Sequence, residues 1–256
     1  MSSGKVIVIT GASSGIGAEL ARQLGVQKHR LVLAARREKE LADVARQSAT
    51  ETVTAVTDVT KRHDIESLRD RALAAFGQVD VWINNAGRGI TKKVLDLTDE
   101  DVDEMISVNL KSALYGMQAI VRYFQQSGTG HLINISSFLS RVPVATVRSV
   151  YSASKAALNS LTANLRMDLR RDFPGIHVSL IMPGVVTTDF AKNAIGGPPS
   201  GAPPSSPMKP QSPEEVAAAI VRVIENPVPE IYTNPASPDL ARRYFEDVGA
   251  FEAWLG

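Results

Sequence analysis

Short β-branched apolar runs alternate along this chain with longer segments of helical period, and that alternation leaves few architectures open. Runs at residues 5–10, 31–35, 52–56, 79–83, 131–135 and 177–182 read as strands, with 230–233 as a seventh. Most are continuously apolar, as strands covered on both faces are. Between them, positions such as Ile106, Leu110, Ala113, Met117, Ile120 and Phe124 recur every three or four residues, the spacing of one helical face. Strand and helix in alternation, without hairpin signals, predict an α/β fold: a doubly wound parallel sheet of about seven strands with helices on both faces. The 256 residues suit one such domain, and no internal repeat or second core competes for them, so residues 1–256 are read as a single domain.

Composition excludes several function classes. The 28 Lys+Arg against 27 Asp+Glu leave a net charge of +1, which argues for neither a nucleic-acid partner nor an anionic membrane. Cysteine is absent, which removes disulfides, thiolate nucleophiles and sulfur-held metals. The four histidines lie far apart, so no metal site is expected. No apolar run approaches the roughly 18 residues of a membrane span, and the opening Met-Ser-Ser-Gly-Lys runs straight into a strand pattern. A cytoplasmic protein without a signal peptide is the expectation.

Chemistry enters directly after the first strand, in Thr10-Gly11-Ala12-Ser13-Ser14-Gly15-Ile16-Gly17, which opens a helical pattern. Such a turn lets a pyrophosphate approach the backbone, and the helix N-terminus offers it free N–H groups and partial positive charge. The strand that follows ends Ala34-Ala35-Arg36-Arg37. An NAD site would carry a carboxylate there for the ribose 2′-hydroxyl, whereas a guanidinium forks onto a 2′-phosphate. NADP is therefore favoured; the other reading is two solvated arginines opening a helix.

A second constellation is Tyr151-Ser152-Ala153-Ser154-Lys155. Tyr and Lys at i and i+4 share a helix face, and an ammonium beside a phenol favours the phenolate needed for proton transfer at neutral pH. Alone, the pair reads equally as a surface tyrosine with a snorkelling lysine. Asn134-Ile135-Ser136-Ser137 and Asn84-Asn85-Ala86-Gly87 both end strands, and in a parallel sheet such ends line the ligand crevice. Asn109 interrupts an apolar helix and needs a polar partner, either structural or in the site.

Together these motifs resemble the short-chain dehydrogenase/reductase family, from about residue 5 to 190 and in the family's order. The resemblance implies a Rossmann fold and a reaction that moves hydride between nicotinamide and a carbonyl or secondary alcohol. It implies Tyr151 as general acid/base, Ser137 holding the substrate oxygen, Lys155 on the ribose and lowering the tyrosine pKa, and Asn109 anchoring a water in the proton relay. NADP would lie against Gly11, Ser13, Ser14, Gly15, Ile16, Gly17, Arg36, Arg37, Asp58, Val59, Asn85, Ala86, Gly87, Tyr151, Lys155, Pro183, Gly184, Val186 and Thr188, with Asp58 on the adenine and Val186 and Thr188 on the carboxamide. The i+4 spacing resembles the carbonyl and alcohol members rather than the enoyl reductases. One departure stands out: the family's serine falls thirteen residues before the tyrosine, where this chain has Phe138. One inserted residue in the loop 138–150 makes Ser137 the counterpart, with Ser136 and Ser140 as lesser candidates. The rival reading is a catalytically silent NADP(H)-binding redox sensor of the same fold.

Residues 196–213 hold half of the chain's 14 prolines, with Gly and Ser, and read as a mobile loop within 190–213, either a substrate lid or a passive insertion. Beyond it, Ser237 caps a helix expected to run to about Gly249, leaving a tail with Phe251, Trp254 and Leu255. Small and apolar residues on several sides of 102–126 and 151–173 (Ala153, Ala156, Ala157, Leu161, Leu165) suggest burial against other copies, as a homodimer or homotetramer. The loops at 88–95, 138–150 and 184–213 have apolar bias but no charge pattern that names a substrate.

Overall fold

The computed structural model describes residues 4–198 and 208–255. Its seven strands are β1 Val6–Thr10, β2 Arg30–Ala35, β3 Thr52–Val56, β4 Val81–Asn84, β5 Gly130–Ile135, β6 Ile176–Met182 and β7 Glu230–Tyr232. All pair in parallel, in the order β3-β2-β1-β4-β5-β6-β7. The chain winds outward from β1 to β3, then returns to the other side of β1 with β4, so the strand order reverses between β1 and β4. A crevice opens at such a switch point, on the edge where strands end.

Alternation along the buried strands feeds two cores, one on each face. Ile7, Ile9, Leu31 and Leu33 pack with Leu20 and Leu24 of α1 (Gly15–Val26) and Val216 and Ile220 of α7 (Pro213–Glu225). Val8, Val32 and Trp82 pack on the opposite face with Leu68 of α3 (Arg62–Phe76), Ile120 and Phe124 of α5 (Ser112–Ser127) and Leu158 of α6 (Ser149–Arg170). Both sheet faces are covered, which is why the strands read as apolar runs rather than alternating ones. No helix among the described residues is long and apolar enough to cross a membrane.

Four differences from the sequence reading bear on the site. The helix expected across Ile106–Phe124 is α4 (Asp99–Ile106) joined to α5 through a π turn, Ser107–Lys111, which carries Asn109. Ser237 does not cap its helix; Ala236 does, and α8 (Ser237–Glu246) ends where Asp247 turns extended, at φ −154° and ψ 100°. The chain then re-enters a helix, α9 (Val248–Leu255), where a tail was expected. The Pro-rich segment is pinned at both flanks: Ile195 N–H donates to Gly89 O, Thr91 N–H to Ile195 O, and Gln211 N–H to Val185 O. Met208 is buried with Phe138, Leu240 and Phe251. Residues 199–207, the middle of the expected mobile loop, lie outside the described residues.

Candidate active site

A cleft of about 1630 Å³ runs along the carboxyl edge of the sheet. All but two of the residues assigned to the site from sequence line it; Gly17 and Asn109 do not.

At one end lies the glycine turn. Gly11 has φ +66°, and a Cβ there would stand 2.8 Å from the Ala86 Cα, so the turn tolerates no side chain. Asn85 fixes the turn from β4, its Nδ2 donating to Thr10 O (2.9 Å) and Gly11 O (3.2 Å). Its neighbour Asn84 points the other way, accepting from the Trp82 indole and donating to Asn134 Oδ1, each at 2.8 Å. Gly17 is buried behind the turn, where a Cβ would lie 2.6 Å from both Gly11 O and Asn85 Nδ2; it packs α1 onto the sheet and does not face the cleft. α1 begins without a side-chain cap bond and without an acidic residue in its first turn. Its first N–H groups are thus open to an anion.

Beside the turn stand the two arginines. Arg37 Nη2 donates to Ser13 Oγ (3.0 Å) and Ser14 Oγ (2.7 Å). Arg36 is exposed and lines the cleft. Across from it, burial alone would raise the Asp58 carboxyl. Two bonds from Thr60 and the charges of Arg36 and Lys61 outweigh that and hold it below the usual carboxylate range.

At the other end Ser137, Tyr151 and Lys155 are all buried and line the same cleft. Ser137 Oγ accepts from Leu139 N–H (3.2 Å), which leaves its own proton to donate, and its hydroxyl stands close enough to the Tyr151 phenol to favour the phenolate. Ser136 and Ser140 are committed elsewhere. Ser136 donates to Asn159 Oδ1 (2.6 Å), and Asn159 Nδ2 donates to Ser140 Oγ (2.7 Å). Lys155 Nζ donates to Ile135 O (2.8 Å), and its burial pulls its pKa down to about 8. Burial pushes the Tyr151 phenol up, opposed by the Ser137 bond and the Arg148 charge. The positive charge that counters burial at the phenol includes that of Arg148, a residue of the 138–150 loop that sequence reasoning did not single out.

Asn109 is a strut under the cleft floor. Its Oδ1 accepts from Arg88 N–H (2.9 Å) and its Nδ2 donates to Arg88 O (3.0 Å). Its side-chain bonds therefore hold the Gly87–Arg88 backbone. A Cβ on Gly87 would meet Asn109 Oδ1 at 3.1 Å and Lys155 Nζ at 3.5 Å, so these three residues form one packed corner.

Sequence reasoning missed two contributions. The C-terminal helices bring Leu240, Tyr244, Phe251, Glu252 and Leu255 to the cleft; the aromatic cluster of the tail was the available signal. Arg148 lines the cleft one turn before Tyr151, in a loop judged to lack a diagnostic charge.

Comparisons with known proteins agree with this geometry. Residues 5–196 match the family model described as short chain dehydrogenase. An uncharacterized oxidoreductase of Staphylococcus aureus strain N315 is 36% identical over 224 residues, covering 87% of this chain and 92% of that protein. A short-chain dehydrogenase/reductase from Burkholderia phymatum, solved in complex with NAD, superposes with a TM-score of 0.86 at 28% identity, over 97% of this chain and 95% of that one. An alcohol dehydrogenase from the archaeon Thermococcus sibiricus, complexed with 5-hydroxy-NADP, gives 0.78 at 28% identity, over 91% and 97%.

Proposed function

Because this chain belongs to the short-chain dehydrogenase family, we propose that it is an NADP-dependent oxidoreductase acting on a carbonyl or secondary alcohol, with Tyr151 carrying the proton. The observation that carries the reading is the meeting of Ser137, Tyr151 and Lys155 in one cleft with the glycine turn. A silent redox sensor would need the turn and would account for none of the three.

The residues fit a phosphorylated dinucleotide. The uncapped α1 N-terminus and the side-chain-free approach at Gly11 suit a pyrophosphate, and Arg36 is free to fork onto a 2′-phosphate while Arg37 is held by Ser13 and Ser14. Asp58 and Val59 would face the adenine, Val186 and Thr188 the carboxamide and Lys155 the ribose; all five line the cleft. When bound, the dinucleotide supplies or accepts the hydride.

Ser137 donates its hydroxyl proton to the substrate oxygen and orients the carbonyl against Tyr151. Tyr151 gives its phenolic proton to that oxygen in reduction and takes it back in oxidation. Lys155 keeps its charge at neutral pH, since its lowered pKa of about 8 still lies above that. Asn109 holds the Gly87–Arg88 backbone beside Lys155, from where the relay to solvent would start. Ala153, Ala156 and Met167 stay exposed on α6, which supports packing of that face against another copy of the chain.

The test follows NADPH oxidation across a panel of ketones and aldehydes. Tyr151→Phe is expected to lower kcat by about 10²–10⁴-fold while leaving NADPH affinity within a few-fold. Turnover that survives the change would remove the proton role from Tyr151. Parallel titrations should give tighter binding of NADPH than NADH, reversed by Arg36→Asp; indifference to that change would remove the 2′-phosphate assignment.

A further inference from the structure

Arg148 lines the cleft near Tyr151 as a cation without a counter-charge among the described residues, and we propose that it selects substrates carrying a carboxylate near the reacting carbonyl. The inference rests on the oxidoreductase reading above and names its substrate class as oxo acids, with hydroxy acids in the reverse direction.

Arg148 immediately precedes α6 and lines the same cleft as Ser137 and Tyr151. Its Nη1 donates to Ile90 O (2.9 Å) and Thr91 Oγ1 (3.3 Å), which fixes the guanidinium. Those two bonds use the protons of one nitrogen. Among the described residues the Nε and Nη2 protons make no bond, yet neither atom is buried without a partner as His131 Nδ1 and Arg141 Nε are. They therefore reach solvent, as an edge of N–H donors of the kind that holds both oxygens of a carboxylate.

No carboxylate among the described residues lies within ion-pair range of that edge. Charges on the neighbouring segments are spoken for, Arg88 with Glu104, Lys92 with Asp101 and Asp189 with Lys192, and Glu252, the carboxylate that α9 brings to the cleft, makes no ion pair with Arg148. The group of opposite polarity that acts on Arg148 is the Tyr151 phenol. A half-buried cation without an anion costs free energy, and a substrate carboxylate would supply the missing partner. Around it the walls are apolar (Phe138, Leu139, Val144, Phe190, Met208, Phe251), which suits an aryl or alkyl body on that acid.

The experiment compares benzoylformate and 3-benzoylpropionate with their methyl esters. The wild-type enzyme should prefer at least one acid over its ester by about 10-fold or more in kcat/KM, and Arg148→Met should cost that acid about 10–100-fold more than it costs the ester, the size of a charge-assisted bidentate contact. Arg148→Lys should restore part of the preference and decides the matter if Arg148→Met fails to fold. Esters equal to or better than both acids, or an equal loss on acid and ester, would overturn the proposal and leave Arg148 as a strap on the 90–91 loop. A calorimetric titration of NADPH-loaded Tyr151→Phe with the same acids reads binding without turnover. Acid binding that depends on Arg148, with no turnover of any carbonyl by the wild type, would sink the redox reading and leave the carboxylate site standing.

Discussion

Three serines fall within five positions at the end of β5, and the sequence separates them only by analogy. Geometry separates them by bookkeeping of protons: Ser136 gives its proton to Asn159, Ser140 gives its own to Ser137 O, and Ser137 keeps one to offer the cleft. Ser137→Ala should therefore lower kcat on the order of 100-fold, the cost of one donor at a developing oxyanion. Ser136→Ala should instead act on stability, since it leaves buried Asn159 short of a partner. A turnover loss of that size from Ser136→Ala with Ser137→Ala near wild type would reverse the register. The same residue-scale accounting explains why Tyr151 was legible as a phenol in need of a cation while Arg148 was not legible as one. Their relation is set by the strap from Arg148 to Ile90 and Thr91, fifty-odd positions away in sequence.

At the scale of elements, the turn from α8 to α9 decides the shape of the substrate end. Asp247 breaks the helix and accepts from Ala250 N–H (2.9 Å), which starts the next one and turns Phe251 inward onto Leu240, Ala241 and Phe138. Phe251 also packs edge-on against Tyr244, with ring centroids 5.5 Å apart. Phe251→Ala should cost less than the roughly 3–5 kcal/mol of an enclosed phenylalanine, because α9 is only eight residues long and can undock as a unit. The expected signature is rapid proteolysis within 247–255 together with a raised KM, read by limited digestion and steady-state kinetics. Unchanged KM with α9 undocked would make that helix a surface appendage. The π turn is a second such case. A period of three to four continues through it, so the pattern reads as one helix, while the two Asn109 bonds to Arg88 hold the extra residue in place.

Across the whole molecule, burial on both sheet faces also traps a histidine far from the cleft. His131 on β5 is buried, and Ser179 on β6 sits at its Nε2 (2.9 Å) while spending its own proton on Val228 O (2.5 Å). Nε2 must therefore carry the hydrogen, and Nδ1 is left without a partner. Burial first, then the nearby His177 and Lys5, pull the His131 pKa down to about 3 from 6.5. The folded state refuses a proton that the unfolded chain accepts, so stability is full above pH 6.5 and is lost as pH falls toward 3. Between pH 7 and 5 the wild type should lose about 2 kcal/mol more than His131→Gln in denaturant unfolding. Equal losses would show that the buried ring does not govern acid stability.

What the sequence determined by itself is whatever depends on neighbours along the chain. The apolar runs are strands because both faces of a parallel sheet are covered, and the glycine turn is a turn because Gly11 takes a φ that other residues avoid. The tyrosine and lysine share a helix face because they are one turn apart. Only the tertiary structure decided which side chains spend their protons and charges before the cleft is reached. It withdrew Gly17 and the Asn109 side chain from the cleft, committed Ser136 and Ser140, folded the C-terminal residues over the substrate end, and left one edge of Arg148 open. Those are outcomes of hydrogen bonds and packing between distant segments, and periodicity carries no record of them.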